Sequence, residues 1–158
     1  SCGQSPGPIK LTVYMKRLQI AYDLKTDAAA KDLGAKPYKT LIVVTGSSLK
    51  GMGAAGVSID DEVKRVGALI DEAKKKGITV VGAHVEGMER RAKNAAPGDN
   101  SDEISIDAVC PKSSFLIVRK DGDDDGRFTA LSKKHNIPVV FFQKNTEIQD
   151  VLKNVFGR

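Results

Sequence analysis

Four short apolar runs punctuate the chain: "KTLIVVTG" (39–46), "GITVVGAHV" (77–85), "SFLIVRK" (114–120) and "IPVVFFQ" (137–143). Each is nearly continuous in Val, Ile, Leu and Phe, without polar residues at every second position. That pattern predicts strands buried on both faces, which belong to parallel sheets. Amphipathic helical patterns lie between the runs. Ile59, Val63, Val66, Ile70 and Ala73 share one helical face, Ser58 opens the helix, and Asp60, Asp61 and Glu62 occupy its first turn. Lys74, Lys75 and Lys76 end it and Gly77 stops it, so the charges complement the helix dipole at both termini. Ile148, Val151, Leu152 and Val155 predict a final helix capped by Thr146. Shorter helices fit 101–110 and 127–135. Near the start, Leu11, Tyr14, Met15 and Leu18 fall on one face of a helix whose first turn tolerates Pro8.

Alternation of β and α elements at this spacing implies an α/β fold, a doubly wound parallel sheet with helices on both faces, three layers in all. The 158 residues suit a single domain, 1–158. One part of the pattern is missing. "SCGQSPGP" reads as the loop that follows a first central strand, yet no strand precedes it, and "QIAYDL" (19–24) reads as a short edge strand. The expectation is a sheet whose first central strand is absent from this chain and is supplied by an N-terminal extension, another segment or another chain.

Composition narrows the function classes only a little. Hydrophobic residues make up 41% and charged residues 28%, ordinary for a globular domain. A formal charge of +5 attracts anions at long range and names no partner. Without Trp, with 5% aromatics and with acids interspersed among the bases, no stacking platform for nucleic acid is present. No apolar run approaches the ~20 residues that cross a bilayer as a helix. Cytoplasm and export both stay open. The two cysteines, Cys2 and Cys110, have no metal-ligand spacing and are expected at opposite edges of the sheet, too far apart for a disulfide.

The candidate chemistry lies in the loops at the carboxyl edge of the predicted sheet. Gly51-Met52-Gly53-Ala54-Ala55-Gly56 is a literal G-x-G-x-x-G. A dinucleotide fingerprint needs its first glycine directly after the strand and its last at the helix start. Here "SSLK" separates Gly46 from Gly51 and "VS" follows Gly56, so the string fails as a fingerprint and predicts a mobile, lysine-bearing loop. Asp121, Asp123, Asp125 and Gly126 imitate half of a calcium loop, but the twelfth position is Ser132, and three aspartates before a helix also serve as caps; a bound cation is left open. His84, Glu86, Arg90 and Arg91 gather an imidazole, an acid and two guanidinium forks in one loop, a pattern suited to carboxylate or phosphate.

The segments "SCGQSPG", "YKTLIVVTGSSLKGMGAAG", "IDDEVKRVGALIDEAKKKGITVVGAHVEG", "ERR" and "CPKSSFLIVRKDGDDDGRFTALSKKHNIPV" resemble a family of small bacterial domains of unknown function with a flavodoxin-like arrangement. The resemblance covers nearly the whole chain, and "GSS-x-K-G-x-G-A-A-G" is its most specific mark. It implies a flavodoxin-like doubly wound sheet and a strand before the "S-x-G-Q-S" loop, and carries over no established activity; no cofactor is expected. The "AKNAAPGDN" insertion departs from the pattern.

The resulting expectation is a non-catalytic domain that binds a small anionic ligand or a partner protein at the carboxyl edge. Gln4, Ser5, Ser47, Ser48, Lys50, Gly51, Gly53, His84, Glu86, Arg90 and Arg91 are the candidate ligand-binding residues. Two alternatives accompany it: a small-molecule or redox enzyme using Cys2 or His84, and a subunit-interaction module whose partner fills the absent strand. The scarcity of aromatics in these loops, Phe128 apart, disfavours a flavin.

Overall fold

The computed structural model describes residues 1–158. Strands β1 (Thr40–Val44), β2 (Thr79–His84), β3 (Phe115–Arg119) and β4 (Val139–Phe142) form one sheet in the order β1-β2-β3-β4, every pair parallel. Six helices accompany them: α1 (Gly7–Arg17), α2 (Leu49–Ala55), α3 (Ile59–Lys75), α4 (Ser101–Val109), α5 (Arg127–His135) and α6 (Ile148–Phe156). The three-layer α/β architecture expected from the apolar runs is present, of the flavodoxin or Rossmann type.

Alternation along each strand sends side chains to two separate cores. Val44, Val81, Ala83, Ile117 and Phe142 meet Leu11 and Met15 of α1 and Ile148, Val151 and Leu152 of α6 on one face. Val43 and Val80 meet Val66, Leu69, Ile70 and Ala73 of α3 and Val109 of α4 on the other, and Leu116 and Val118 continue that face against Phe128 of α5. Burial on both faces is why the strands read as unbroken apolar runs. The winding reverses beside β1, since α1 covers one face and α3 the other.

Helix α3 starts as its sequence dictates. Ser58 Oγ accepts from Asp61 N–H at 3.1 Å and the Asp61 carboxylate accepts from Ser58 N–H at 2.9 Å, a reciprocal capping box. Gly77, at φ +72°, supplies the left-handed residue past its end.

Three local expectations are corrected. The glycine string is not a mobile loop but α2: Ser48 Oγ caps it by accepting Gly51 N–H at 3.0 Å, buried Met52 anchors it, and Gly56 closes it at φ +70°. The final helix begins at Ile148, not behind a Thr146 cap. A 3-10 turn over Asn145–Glu147 runs straight into it, and Glu147 reaches back to accept Gln143 N–H at 2.7 Å. Residues 19–24 are not a strand, because no neighbouring strand offers them a ladder.

Candidate functional site

In an open α/β sheet the crevice for a ligand opens where the winding reverses, above the carboxyl ends of the strands. In this chain the two loops that would flank such a crevice are stitched together. Ser48 N–H donates to the Gly3 carbonyl at 2.8 Å, and Gln4 and Ser47 form an isolated antiparallel bridge. Gly3 permits the contact: a Cβ there would lie 2.7 Å from Ser47 Cα, and its φ is +118°. Glu62 of α3, buried, accepts from Gly3 N–H at 3.0 Å and Gln4 Nε2 at 2.9 Å while Arg65 pairs with it at 3.0 Å. Burial works against the Glu62 carboxylate, yet the Arg65, Gly3 and Gln4 hydrogen bonds hold its pKa below the ordinary value.

Ser47 is equally committed. Its N–H donates to Asp102 Oδ1 at 2.7 Å, its hydroxyl lies against Ser101, and Ser105 Oγ accepts the neighbouring Gly46 N–H at 3.0 Å. Asp102 is buried, and desolvation pushes its pKa up despite the Ser47 hydrogen bonds. Ser5 is buried with its hydroxyl unpartnered. Of this group Lys50 and Gly53 face solvent, whereas Gly51 packs directly on the Gln4 carbonyl.

His84 ends β2 and is fully buried against Phe128, ring centroids 4.9 Å apart. Nε2 lies 3.0 Å from the Gly87 carbonyl, which can only accept, so Nε2 carries the proton and Nδ1 faces the Thr45 hydroxyl at 2.9 Å. Desolvation lowers its pKa to about 4, and the imidazole is neutral at pH 7. Glu86, also buried, accepts Arg90 Nε at 3.1 Å, and Arg90 Nη1 donates to the Ser47 carbonyl at 2.9 Å.

Arg91 is 3% exposed and its five N–H donors are all spent. Nε and Nη2 donate to Glu103 at 2.7 and 3.3 Å; Nη1 donates to the Gly122 carbonyl at 2.6 Å and to Asp125 at 3.0 Å; Nη2 completes the fork on Asp125 at 2.7 Å. Burial opposes the guanidinium charge, but Asp125 and Glu103 more than offset it, raising the Arg91 pKa. The same fork holds Asp125 down to about 2. Arg91 therefore turns its charge inward toward Glu103 and Asp125, while Arg90, 24% exposed, pairs with Glu86 and the Ser47 carbonyl.

The three aspartates after β3 diverge. Asp123 caps α5 through Phe128 N–H (2.6 Å) and Thr129 N–H (3.2 Å), Asp125 belongs to Arg91, and Asp121 pairs with Arg119 at 3.0 Å. No group of three or more His, Cys, Asp or Glu is arranged to hold a metal ion.

A family described as a domain of unknown function (DUF6305) matches residues 1–156. The chain belongs to that family. No curated protein and no solved structure matches it.

What this DUF6305 domain can do chemically is bounded by its thiols. Cys2 is fully buried and desolvation raises its pKa; Cys110 is pushed up to about 12 by the same cause. Both are free, and neither meets the electropositive, accessible setting that makes a thiolate. The residues that organise the carboxyl edge are buried carboxylates: Glu62, Asp102 and Asp123, with Glu103 partly covered beside them. A signal for two of them lay in the helical periods. Glu62 interrupts the apolar stripe between Ile59 and Val66, and Asp102 and Ser105 share the buried face of α4 with Ile106 and Val109.

Proposed function

We propose that this domain is a non-catalytic recognition module that engages a protein partner at the carboxyl edge of its sheet, through α2. One observation carries the reading. Of the groups there with chemical or anion-binding potential, Cys2, His84 and Arg91 are buried in the fold and Arg90 is drawn to Glu86 and the Ser47 carbonyl, whereas α2 presents Leu49, 57% exposed, beside the exposed Lys50. An apolar anchor flanked by a free cation suits a partner with an apolar pocket and a nearby carboxylate. The buried carboxylate network beneath holds that surface rigid, which lowers the entropic cost of docking.

A photo-crosslinking residue at Leu49, compared with one at the equally exposed Ile9 on α1, tests this in cells of the source organism. The expected result is one discrete adduct at Leu49, none at Ile9, and loss of the adduct in Lys50→Glu. Adducts that form equally at both positions, or at neither, overturn the reading. Titration with inorganic phosphate separates the small-anion reading: heat of binding that disappears in Lys50→Ala would favour a small anionic ligand instead of a protein.

A further inference from the structure

Charge is sorted along the strand direction. In a parallel sheet every strand starts at one edge, and each helix that returns the chain to the next strand ends there. At this amino edge Lys74, Lys75 and Lys76 close α3, and Lys133 and Lys134 occupy the last turn of α5; all are exposed. Lys39 and Lys112, also exposed, precede β1 and β3. Backbone bonds tie these starts into one row: Thr79 N–H donates to the Lys39 carbonyl at 3.1 Å, Ser114 N–H to the Val80 carbonyl at 2.7 Å and Leu116 N–H to the Pro138 carbonyl at 2.9 Å. With strands about 4.8 Å apart the row is roughly 14 Å long, and the ends of α3 and α5 widen it. In the other helical layer α1 starts at the carboxyl edge, with Gly7 against Val44 and Val85, and ends at the amino edge with exposed Lys16 and Arg17.

These lysines are almost without counter-ions. Lys76 meets Glu72 at 3.7 Å; the others form no ion pair, and Asp71 is the one further acid in the last two turns of α3. Exposed acids collect instead at the carboxyl edge: Asp60 and Asp61 open α3, Asp121 and Asp124 follow β3, and Asp150 lies in the first turn of α6. Helix dipoles favour cations at helix C-termini, which accounts for a lysine or two on α3 and α5. They account for neither Lys39 nor Lys112, which stand outside the α-helices, nor for the want of carboxylates among the lysines. The formal charge of +5 is therefore concentrated at one end of the molecule.

We propose that the amino edge docks on an anionic lipid surface, with α2 turned away from the bilayer. Three observations select lipid headgroups over other polyanions. The face is built almost wholly from lysine, a hydrated point charge, and not from the arginine forks that grip single phosphates bidentately. Its cations are spread over strand starts and helix ends instead of lining a groove that tracks a nucleic-acid backbone, and the chain has no Trp to stack on bases. A protein interface would be anchored by apolar or aromatic groups, yet none of the large exposed apolar side chains lies on α3 or α5 or in the turns before β1 and β3. A planar array of headgroups meets such a spread of charge all at once. The same lack of apolar anchors, with no helix long and apolar enough to cross a membrane, makes the attachment peripheral, electrostatic and reversible by salt. The acids of the carboxyl edge are repelled by the same surface, which fixes the orientation. The two faces lie at opposite edges, so loss of the lipid contact leaves the α2 surface intact.

The test is co-sedimentation of the protein with phosphatidylcholine vesicles and with vesicles in which a third of the lipid is phosphatidylglycerol. Binding is expected to the anionic vesicles alone, weakening at least roughly tenfold as ionic strength rises from about 0.01 to 0.15 M and the Debye length shrinks from about 30 to 8 Å. Each lysine near an anionic leaflet is worth roughly a fivefold change in partitioning, so Lys75→Glu/Lys134→Glu should lower binding by more than about 25-fold. Lys39→Gln/Lys112→Gln, outside the α-helices, should lower it by about 25-fold and keeps the test decisive if the ends of α3 and α5 fray. The control Lys93→Glu/Lys144→Glu reverses two exposed lysines at the carboxyl edge, the same change in net charge, and should stay within about twofold of the parent. Equal losses in the two charge-reversed pairs, no preference for anionic vesicles, or binding that persists at the higher salt overturn the proposal. Tighter binding to double-stranded DNA or to polyglutamate than to the vesicles at the same salt overturns it too, by assigning the face to a nucleic acid or an acidic protein.

Discussion

Replacing Arg91 by methionine removes the guanidinium that joins the loops after β2 and β3 to α4. The methionine stem fills much of the vacated volume, so the cost is mainly electrostatic. Asp125, 48% exposed, rehydrates once released and contributes little. Glu103 keeps Arg127 Nε at 2.8 Å and Ala92 N–H at 3.1 Å, which limits its loss. The Gly122 carbonyl, on a buried residue, loses its donor. Removing one partner of a fully buried pair costs about 3–5 kcal/mol; since Asp125 is 48% and Glu103 22% exposed and both are compensated, the expectation falls below that range, about 2 kcal/mol. For a chain of this size that corresponds to a Tm lower by roughly 4–8 °C. Urea unfolding followed by circular dichroism at pH 7, alongside calorimetry, measures both. The loss is expected to persist at high salt, because a buried pair is poorly screened, and to shrink as pH falls through the range in which Asp125 protonates, from its ordinary value of 3.8 to about 2. Lys50→Ala, at an exposed position, should stay within about 0.5 kcal/mol of the parent. An Arg91→Met loss below about 1 kcal/mol would refute the argument and return Arg91 to the pool of groups free to bind an anion.

Glycine substitutions in α2 should split: Gly53→Ala, with open space around its Cβ, gains about 0.5–1 kcal/mol of helix propensity, while Gly51→Ala drives a Cβ into the Gln4 carbonyl and loses about 1–3 kcal/mol. Equal effects in thermal melts would contradict the packing described for α2. For His84 the folded imidazole titrates at about 4 against 6.5 when unfolded, so between those values the unfolded chain binds the extra proton. Stability from this residue is complete above about pH 6.5 and falls as pH drops toward 4, by on the order of 3 kcal/mol; a stability difference between the parent and His84→Gln that stays flat from pH 4 to 7 would count against it.

Periodicity carried most of the fold. The four apolar runs located all four strands and announced a parallel sheet, because burial on both faces leaves no polar alternation. Ser58, Asp61 and Gly77 marked both ends of α3, since capping is a bond between residues three or four positions apart. Local preference misled at α2: Gly51 and Gly53 inside it oppose a helix, and the Ser48 cap, the left-handed Gly56 at its end, the buried Met52 and the close seat of Gly51 on Gln4 together make one.

The candidate site was legible as a cluster and illegible as a function. His84, Glu86, Arg90 and Arg91 lie close in sequence, at the end of β2 and in the loop after it, so their proximity was already implied. Whether Arg91 faces water or protein depends on Glu103 and Asp125, 12 and 34 positions away, and on helix phases that bring them to it. Apolar spacing of 2 or 3.6 is a property of neighbouring residues and survives in the bare sequence. Charge pairing, the sealing of the loops by Glu62 and Asp102, and the row of lysines along the amino edge arise only when distant segments share space, and the tertiary structure decided them.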